Sequence, residues 1–162
     1  MLIERVKSLE KYDLNLLIED SVSEGYKFVK RLVDEYETGD NKFDKNGESL
    51  FVAIIDGEVK GIGGLNIDPY LGLTEIGRVR HLYVLRNYRG TGVGKKLLGT
   101  IIDEAKKHFR ILTLFTNNPI ADNLYRSFGF TKVEGVYKAS HILELTGLSD
   151  WRRYFRDGRS IR

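Results

Sequence analysis

The sequence has no cysteine, and it has little proline, with two prolines in 162 residues. The absence of cysteine excludes disulfide bonds, thiolate catalysis and cysteine-ligated metal centres, and the scarcity of proline leaves no proline-rich linker. No apolar run approaches the roughly 20 residues that a membrane-spanning helix needs. The first residues also lack the basic and then apolar order of a secretory signal. We therefore expect a cytoplasmic protein without a metal site and without a membrane segment.

A dense positive charge is also absent, because the net charge is only +3. This is too little for a dedicated nucleic-acid binder, so we expect no nucleic acid among the partners. The basic residues are nevertheless concentrated in two segments, residues 78–96 and 152–162. Each segment is either a solvated surface or a surface that binds a ligand.

The hydrophobic pattern predicts one α/β domain over residues 1–146, a mixed sheet with helices on both faces. The predicted order is β-α-α-β-β-β-α-β-α-β-β, with strands at 2–6, 50–55, 58–67, 74–85, 111–116, 133–139 and 141–145 and helices at 12–23, 24–36, 92–108 and 118–128. Asp56-Gly57 is typical of a tight hairpin turn. Asn118 suits the cap of the last helix, and Gly129 suits its end.

The last 16 residues form a separate extension in this prediction. Residues 147–162 are basic and interleave Trp151, Tyr154 and Phe155 with arginines. We expect a short helix that packs these aromatic rings against the domain or against a second subunit, so a homodimer is left open. Contact with nucleic acid or a membrane is the alternative.

A glycine-rich run joins an apolar strand to a predicted helix at Arg89-Gly90-Thr91-Gly92-Val93-Gly94. This layout points backbone N–H groups and a helix N-terminus at one place, which favours binding of phosphate. The dinucleotide motif G-x-G-x-x-G fails, because Lys95 or Leu97 stands where the third glycine belongs. The P-loop motif fails as well, because Arg89 replaces its first glycine and Lys96 its final Ser or Thr.

The run does fit R-x-x-G-x-G, and a second pattern follows at Asn118-x-x-Ala121-x-x-Leu124-Tyr125-x-x-x-Gly129-Phe130. With the strand ending Leu82-Tyr83-Val84, these motifs resemble the GCN5-related N-acetyltransferase family over residues 50–146. The resemblance implies the acyl-CoA N-acyltransferase fold with a splayed central sheet. It also implies acetyl-CoA as cosubstrate and direct acetyl transfer to a primary amine in a ternary complex.

The same resemblance implies a set of cofactor-binding residues. They are Leu82, Val84, Arg89, Gly90, Thr91, Gly92, Val93, Gly94, Lys95 and Asn118. The N–H groups of residues 89–95 would bind the pyrophosphate, and the strand edge would pair with the pantetheine arm. The N–H of Leu82 would also donate to the thioester carbonyl. The alternatives are an ordinary turn for the glycines, core packing for Leu82 and Val84, and a helix cap for Asn118.

Tyr125 is the general acid that the resemblance implies, protonating the departing thiolate; a core tyrosine is the alternative. The general base is left open, because Arg78 stands where many members of the family have glutamate. Its candidates are Glu75, His81, Asp68, Tyr70 or water. Arg78 and Arg80 could instead attract an acidic group on the acceptor.

Three functions remain open at this level. The first is an acetyltransferase for a small-molecule amine, with transfer of a longer acyl chain or transfer to a protein N-terminus or lysine as variants. The second is a CoA-binding sensor with weak or no catalysis, and the third is a nucleic-acid module that uses the arginines of the tail. The acceptor is expected to be set by the first two helices and the turns at 39–49 and 68–73.

Overall fold

The computed structural model describes residues 1–146 and Arg152. The short helix expected within residues 147–162 therefore lies outside the described residues, apart from that one arginine. Within the described part, strands and helices follow one another in the predicted order. The elements are β1 (Leu2–Arg5), α1 (Asn15–Ser23), α2 (Phe28–Thr38), β2 (Ser49–Ile55), β3 (Glu58–Ile67), β4 (Ile76–Val84), α3 (Val93–Ala105), β5 (Ile111–Leu114), α4 (Pro119–Ser127), β6 (Thr131–Lys132) and β7 (His141–Glu144).

The strands form one mixed sheet in the order β1-β2-β3-β4-β5-β7-β6. Only the β4–β5 pair is parallel among the described pairs, and the other neighbours are antiparallel. Helix α3 packs on one face, where Leu97 and Ile101 are fully buried, and α1 and α2 cover the other face through Leu17 and Leu32. The predicted mixed sheet with helices on both faces is confirmed.

Local sequence signals account for several of the turns and caps. Asp56 and Gly57 both have positive φ, 53° and 78°, as a tight hairpin turn between β2 and β3 requires. The side chain of Asn118 accepts a hydrogen bond from the N–H of Ile120 (2.9 Å) and so caps α4. Gly129, with φ of 97°, follows the end of the same helix. These three predictions are confirmed.

The strand predicted at residues 133–139 is wrong. Its place in the sheet is taken by the two-residue strand β6, and residues 133–140 form a loop before β7. Gly135 (φ 78°) and Lys138 (φ 59°) have left-handed backbones that interrupt any extended run. Val136 is buried in a small core with β5 and β7, so its apolar character reflects loop packing and not strand alternation.

The ladder between β4 and β5 is short. It contains three residue pairs, from Ile76–Ile111 to Arg78–Thr113, whereas β4 pairs with β3 as far as Val84. Beyond Thr113, β5 continues to pair with β7. Residues 79–84 of β4 therefore have no strand beside them on the β5 side among the described residues, and the sheet is splayed at this point, as the family resemblance implies.

A bulge shapes β4 at the place where the strands part. The register with β3 shifts between Ile62 and Gly64, and His81 has a left-handed backbone with φ of 58°. The imidazole lies between the rings of Phe28 (6.2 Å between centroids) and Phe43 (6.3 Å). Its Nε2 atom is buried without a hydrogen-bond partner among the described residues.

The surroundings of His81 keep its imidazole neutral. Burial, and secondarily the nearby charges of Arg80 and Arg31, lower its pKa from 6.5 to about 3. Burial of a neutral histidine links stability to pH, because only the unfolded chain binds its proton between pH 6.5 and pH 3. The free energy of unfolding should therefore fall as the pH drops through this range.

Replacement His81→Asn tests this linkage, since asparagine tolerates a left-handed backbone but does not titrate. The wild-type protein should lose roughly 2–3 kcal/mol more stability than the variant between pH 6.5 and pH 4.5, at about 1.4 kcal/mol per pH unit. Urea unfolding at a series of pH values measures this difference. A gap between the two proteins that does not change with pH would contradict the assignment.

Candidate active site

The loop between β4 and α3 presents a row of unpaired backbone donors. Its limits are marked by the N–H of Arg89, which donates to Arg86 O (3.2 Å), and the N–H of Lys96, which donates to Gly92 O (3.0 Å). The N–H groups of residues 90–95 between them have no hydrogen-bond acceptor within the described part of the chain. The start of α3 adds the positive end of its helix dipole to these donors.

Two glycines allow this loop its shape. Gly90 and Gly92 have φ of 78° and 93°, a backbone that residues with a side chain rarely adopt. A Cβ atom at either position would meet no protein atom within 4 Å. The open space in front of the donors therefore leaves room for a ligand to approach the backbone closely.

Two arginines of the loop are neutralised by carboxylates of α1 and its C-terminal end. The Arg89 guanidinium donates to Glu24 (Nη1–Oε2 3.0 Å) and to the Val84 carbonyl (Nε–O 3.0 Å), and Arg86 pairs with Asp20 (Nε–Oδ1 3.2 Å). The hydrogen bond from Arg89 lowers the pKa of Glu24 below its usual value. A phosphate contact from Arg89 would compete with this pair. Sequence reasoning missed both carboxylates.

Unpaired positive charge at the loop comes instead from the first turns of α3. Lys95 and Lys96 are exposed, and neither forms an ion pair within residues 1–146. Thr91 is held by a hydrogen bond from its hydroxyl to the Tyr88 carbonyl (2.5 Å). The loop therefore combines backbone donors, a helix N-terminus and two free ammonium groups, which suits a diphosphate.

The gap between β4 and β5 begins beside this loop. Leu82 and Val84 turn partly buried side chains toward the core under α3, where they pack against Leu97 and its neighbours. Across the gap, Oδ1 of Asn118 accepts a hydrogen bond from the N–H of Ile120. Nδ2 of the same side chain donates to the Tyr26 hydroxyl (3.3 Å). The turn between α1 and α2 thus reaches the start of α4 at the mouth of the gap.

Tyr125 lies on the inner face of α4. Its ring contacts Phe130 edge-on (5.6 Å between centroids) and lies 6.2 Å from the His141 ring. The residue is buried, but its hydroxyl has no hydrogen-bond partner among the described residues. Burial raises the pKa of this hydroxyl, so that it stays protonated at neutral pH. It can therefore serve as a proton donor and does not serve as an anion.

A second polar group holds α4 against β7, and sequence reasoning missed it. The buried His141 contacts Asp122 of α4 (Nε2–Oδ1 2.6 Å) and the Ser140 hydroxyl (Nδ1–Oγ 2.7 Å). Ser140 Oγ also accepts the N–H of Thr116 (2.8 Å). Although these are the residue types of a hydrolase triad, the serine oxygen already accepts a hydrogen bond from a backbone N–H. We therefore read the group as structural support for α4.

Three of the candidates for a general base, Asp68, Glu75 and His81, are not free at the gap. Asp68 is fully buried, and its two oxygens accept from the Arg78 Nε (3.0 Å) and from the N–H of Tyr70 (2.8 Å). Glu75 precedes β4 at the end away from the bulge and lies 4.0 Å from Arg110. His81 is neutral but, with a pKa of about 3, too weakly basic to deprotonate an alkylammonium ion efficiently.

The described residues contain no group of three or more His, Asp or Glu side chains that could hold a metal ion. Within the same residues, no helix is both long and apolar enough to cross a membrane. The site fits a ligand with a diphosphate and an extended polar arm, because unpaired N–H groups and an open strand edge lie next to each other.

Comparison with known proteins agrees with this geometry. The sequence model of the acetyltransferase (GNAT) family matches residues 15–130. A solved structure of a protein from Exiguobacterium sp. 255-15 is 34% identical to this chain, with a TM-score of 0.82 over 90% of this chain and 93% of its own. That protein is described as an expected acetyltransferase. The ribosomal-protein-alanine N-acetyltransferase of Brucella melitensis is 21% identical with a TM-score of 0.62 over 89% and 96% of the two chains, which shows a common fold alone.

One curated relative extends beyond this domain. An uncharacterised protein of Mycobacterium leprae is 38% identical over 71 residues, which are 40% of this chain and 20% of that protein. The present chain thus matches only about a fifth of that relative's length. The family match, in contrast, covers most of the chain and includes the glycine loop, the splayed strands and Tyr125. The chain therefore belongs to the GNAT family of acetyltransferases.

Proposed function

We propose that the domain of residues 1–146 transfers an acetyl group from acetyl-CoA to a primary amine, directly and in a ternary complex. One observation carries this proposal: the open edge of β4 over residues 79–84 runs into the unpaired N–H groups of residues 90–95. An extended arm that ends in a diphosphate could use both at once. In the proposal, the cosubstrate supplies an acetyl group that is already activated as a thioester.

The binding residues act mainly through their backbone in this proposal. The N–H groups of residues 90–95 hold the diphosphate, with Lys95 adding a positive charge. The strand edge at Leu82 and Val84 pairs with the amide groups of the arm, as an added strand would. Asn118 keeps its capping role and borders the arm from the α4 side. Arg89 contributes to binding chiefly by holding the loop to Glu24.

Two donors would assist the chemical step. The N–H of Leu82 donates to the thioester carbonyl oxygen. This hydrogen bond becomes stronger as negative charge builds on the oxygen. The Tyr125 hydroxyl gives its proton to the departing sulfur. Its raised pKa makes this transfer less favourable. The same apolar surroundings would raise the pKa of a neighbouring thiol, which offsets part of the difference. Within the described residues, the hydroxyl has no other partner to compete for its proton.

The acceptor amine would lose its proton to water before it attacks. This follows from the environment of the candidate bases, because Asp68 is engaged and His81 is a weak base. The chain's contribution to this half of the reaction is therefore positioning, which by itself supplies a large share of many rate enhancements. A CoA-binding sensor without catalysis remains the rival, and the unpartnered Tyr125 hydroxyl argues against it.

Gly90→Ala tests the phosphate loop, and Gly57→Ala is its matched control. Both glycines have φ of 78°, and neither has a protein atom within 4 Å of an added Cβ. Each change should cost about 1–2 kcal/mol of stability through backbone strain. Only Gly90→Ala should weaken acetyl-CoA binding, by roughly tenfold or about 1.4 kcal/mol, in titration calorimetry. Equal affinities of the two variants would argue against the loop as the binding site.

Tyr125→Phe tests the proton donor. The ring and its contact with Phe130 are kept, so kcat should fall by roughly 100-fold while acetyl-CoA affinity and folding stay unchanged. Acceptor-dependent thiol release measures kcat. Tyr36→Phe is the control, since Tyr36 is also a buried tyrosine. Its hydroxyl lies on the opposite side of the fold, where it accepts a hydrogen bond from the N–H of Leu9. An unchanged kcat in Tyr125→Phe would remove Tyr125 from the chemistry.

A further inference from the structure

Arg78 is buried with one nitrogen left without a partner. It is 4% exposed in the middle of the sheet, at the last residue pair that joins β4 to β5. Its Nε donates to Asp68 (3.0 Å), but its Nη2 has no hydrogen-bond partner among the described residues. A buried guanidinium nitrogen without an acceptor is destabilising, so an acceptor that arrives with a ligand would stabilise this position.

Asp68 does not supply the missing acceptor for Nη2, because both of its carboxylate oxygens already accept other hydrogen bonds. Its Oδ2 accepts from Arg78 and also from the Thr113 hydroxyl, and its Oδ1 accepts from the N–H of Tyr70 (2.8 Å). These contacts hold the Arg78 side chain in place from one end. The Nη2 end is thereby held in position and has no partner within residues 1–146, so it can donate to a carboxylate that reaches it.

Aromatic rings and further positive charge surround this position. The Tyr70 ring stacks on the Arg78 guanidinium (4.7 Å), and Tyr137 lies 6.2 Å from Tyr70. The Lys138 ammonium lies 5.8 Å from the centroids of both rings. Arg80 has no ion pair within the described residues. Asp68 balances one charge, so the group of Arg78, Arg80 and Lys138 retains a positive excess.

The position of Arg78 relates it to the site of transfer. Arg78 and Leu82 lie four residues apart on the same strand, a span of at most about 13 Å at the usual rise of a β-strand. The gap between β4 and β5 opens directly after Arg78. An acceptor held at Arg78 would thus extend along the open part of β4 toward Leu82, where the proposed function places the thioester.

We propose that the acceptor is an amine that carries a carboxylate several bonds away from its amino group, and that Arg78 binds this carboxylate through Nη2 once the Tyr70 ring turns aside. The inference rests on the proposed acetyl transfer and names the class of its acceptor. Arg78 is therefore a substrate-binding residue, and the family's usual glutamate is replaced by a group that selects the acceptor by charge.

The test uses two matched series of amines. One is 4-aminobutyrate, 5-aminopentanoate and 6-aminohexanoate, and the other is the n-alkylamines of the same lengths. In the wild-type protein, the carboxylates should have KM values roughly tenfold or more below those of the alkylamines, as expected for a charged hydrogen bond. Arg78→Lys should lose this preference with little change in kcat, because lysine keeps the charge next to Asp68 but lacks the guanidinium fork.

A second variant guards against misfolding. The double change Asp68→Asn and Arg78→Gln removes both members of the buried pair, so no uncompensated charge remains, and it should lose the preference too. Arg110→Gln removes one positive charge at an exposed position directly before β5, next to Glu75, and should keep the preference. Retention of the preference in both Arg78 variants, or its absence in the wild type, would overturn the inference.

A binding measurement separates this inference from the proposed function. Calorimetric titration of 6-aminohexanoate into the CoA-loaded protein should show binding that Arg78→Lys weakens by roughly tenfold. If the wild-type protein binds 6-aminohexanoate but releases no thiol with any amine, acetyl transfer fails and the carboxylate site stands. If thiol is released equally well with both amine series and 6-aminohexanoate does not bind, the carboxylate site fails and the transfer stands.

Discussion

Strand β4 has two unequal neighbours: it pairs with β3 along its whole length but with β5 over three residues only. The bulge at His81 turns the strand at this point, while β5 stays with β7. The result is an unpaired strand edge in the interior of the sheet. Proteins usually cover or block such exposed edges. The open edge of β4 depends on this divergence, and the glycine loop with its N–H groups continues from the end of the same strand.

The electrostatics of the loop differ from what a run of basic residues suggests. Arg86 is neutralised by Asp20 and Arg89 by Glu24. The Tyr83 hydroxyl lies within hydrogen-bonding distance of both carboxylates. The arginines therefore fasten α1 to the loop and fix the loop's shape. In the proposed function, recognition of a diphosphate is therefore left to backbone N–H groups, whose positions are more precise than those of long side chains.

The face of β4 that carries Arg78 and His81 has a different character from the face beneath α3. Here burial keeps the imidazole neutral, and a buried ion pair holds Arg78. Charges so placed are costly unless each atom is paired, and one guanidinium nitrogen of Arg78 has no partner in the part of the chain that the structure describes. Aromatic rings from three separate segments border the same face: Phe28, Phe43 and Tyr70. In the two proposals made above, this face distinguishes acceptors and the loop side binds the donor.

The features that depend on neighbouring residues could be predicted from the sequence: the Asp56-Gly57 hairpin, the Asn118 cap, the glycine loop and the order of strands and helices. Each of these is encoded by backbone preferences and by hydrogen bonds between residues a few positions apart. The pairs between distant segments depend on the tertiary fold. Arg89 meets Glu24 65 residues away, and Arg86 meets Asp20 66 residues away. The failure of the strand at 133–139 has the same origin, because the burial of Val136 against β5 and β7 depends on packing that no local pattern contains.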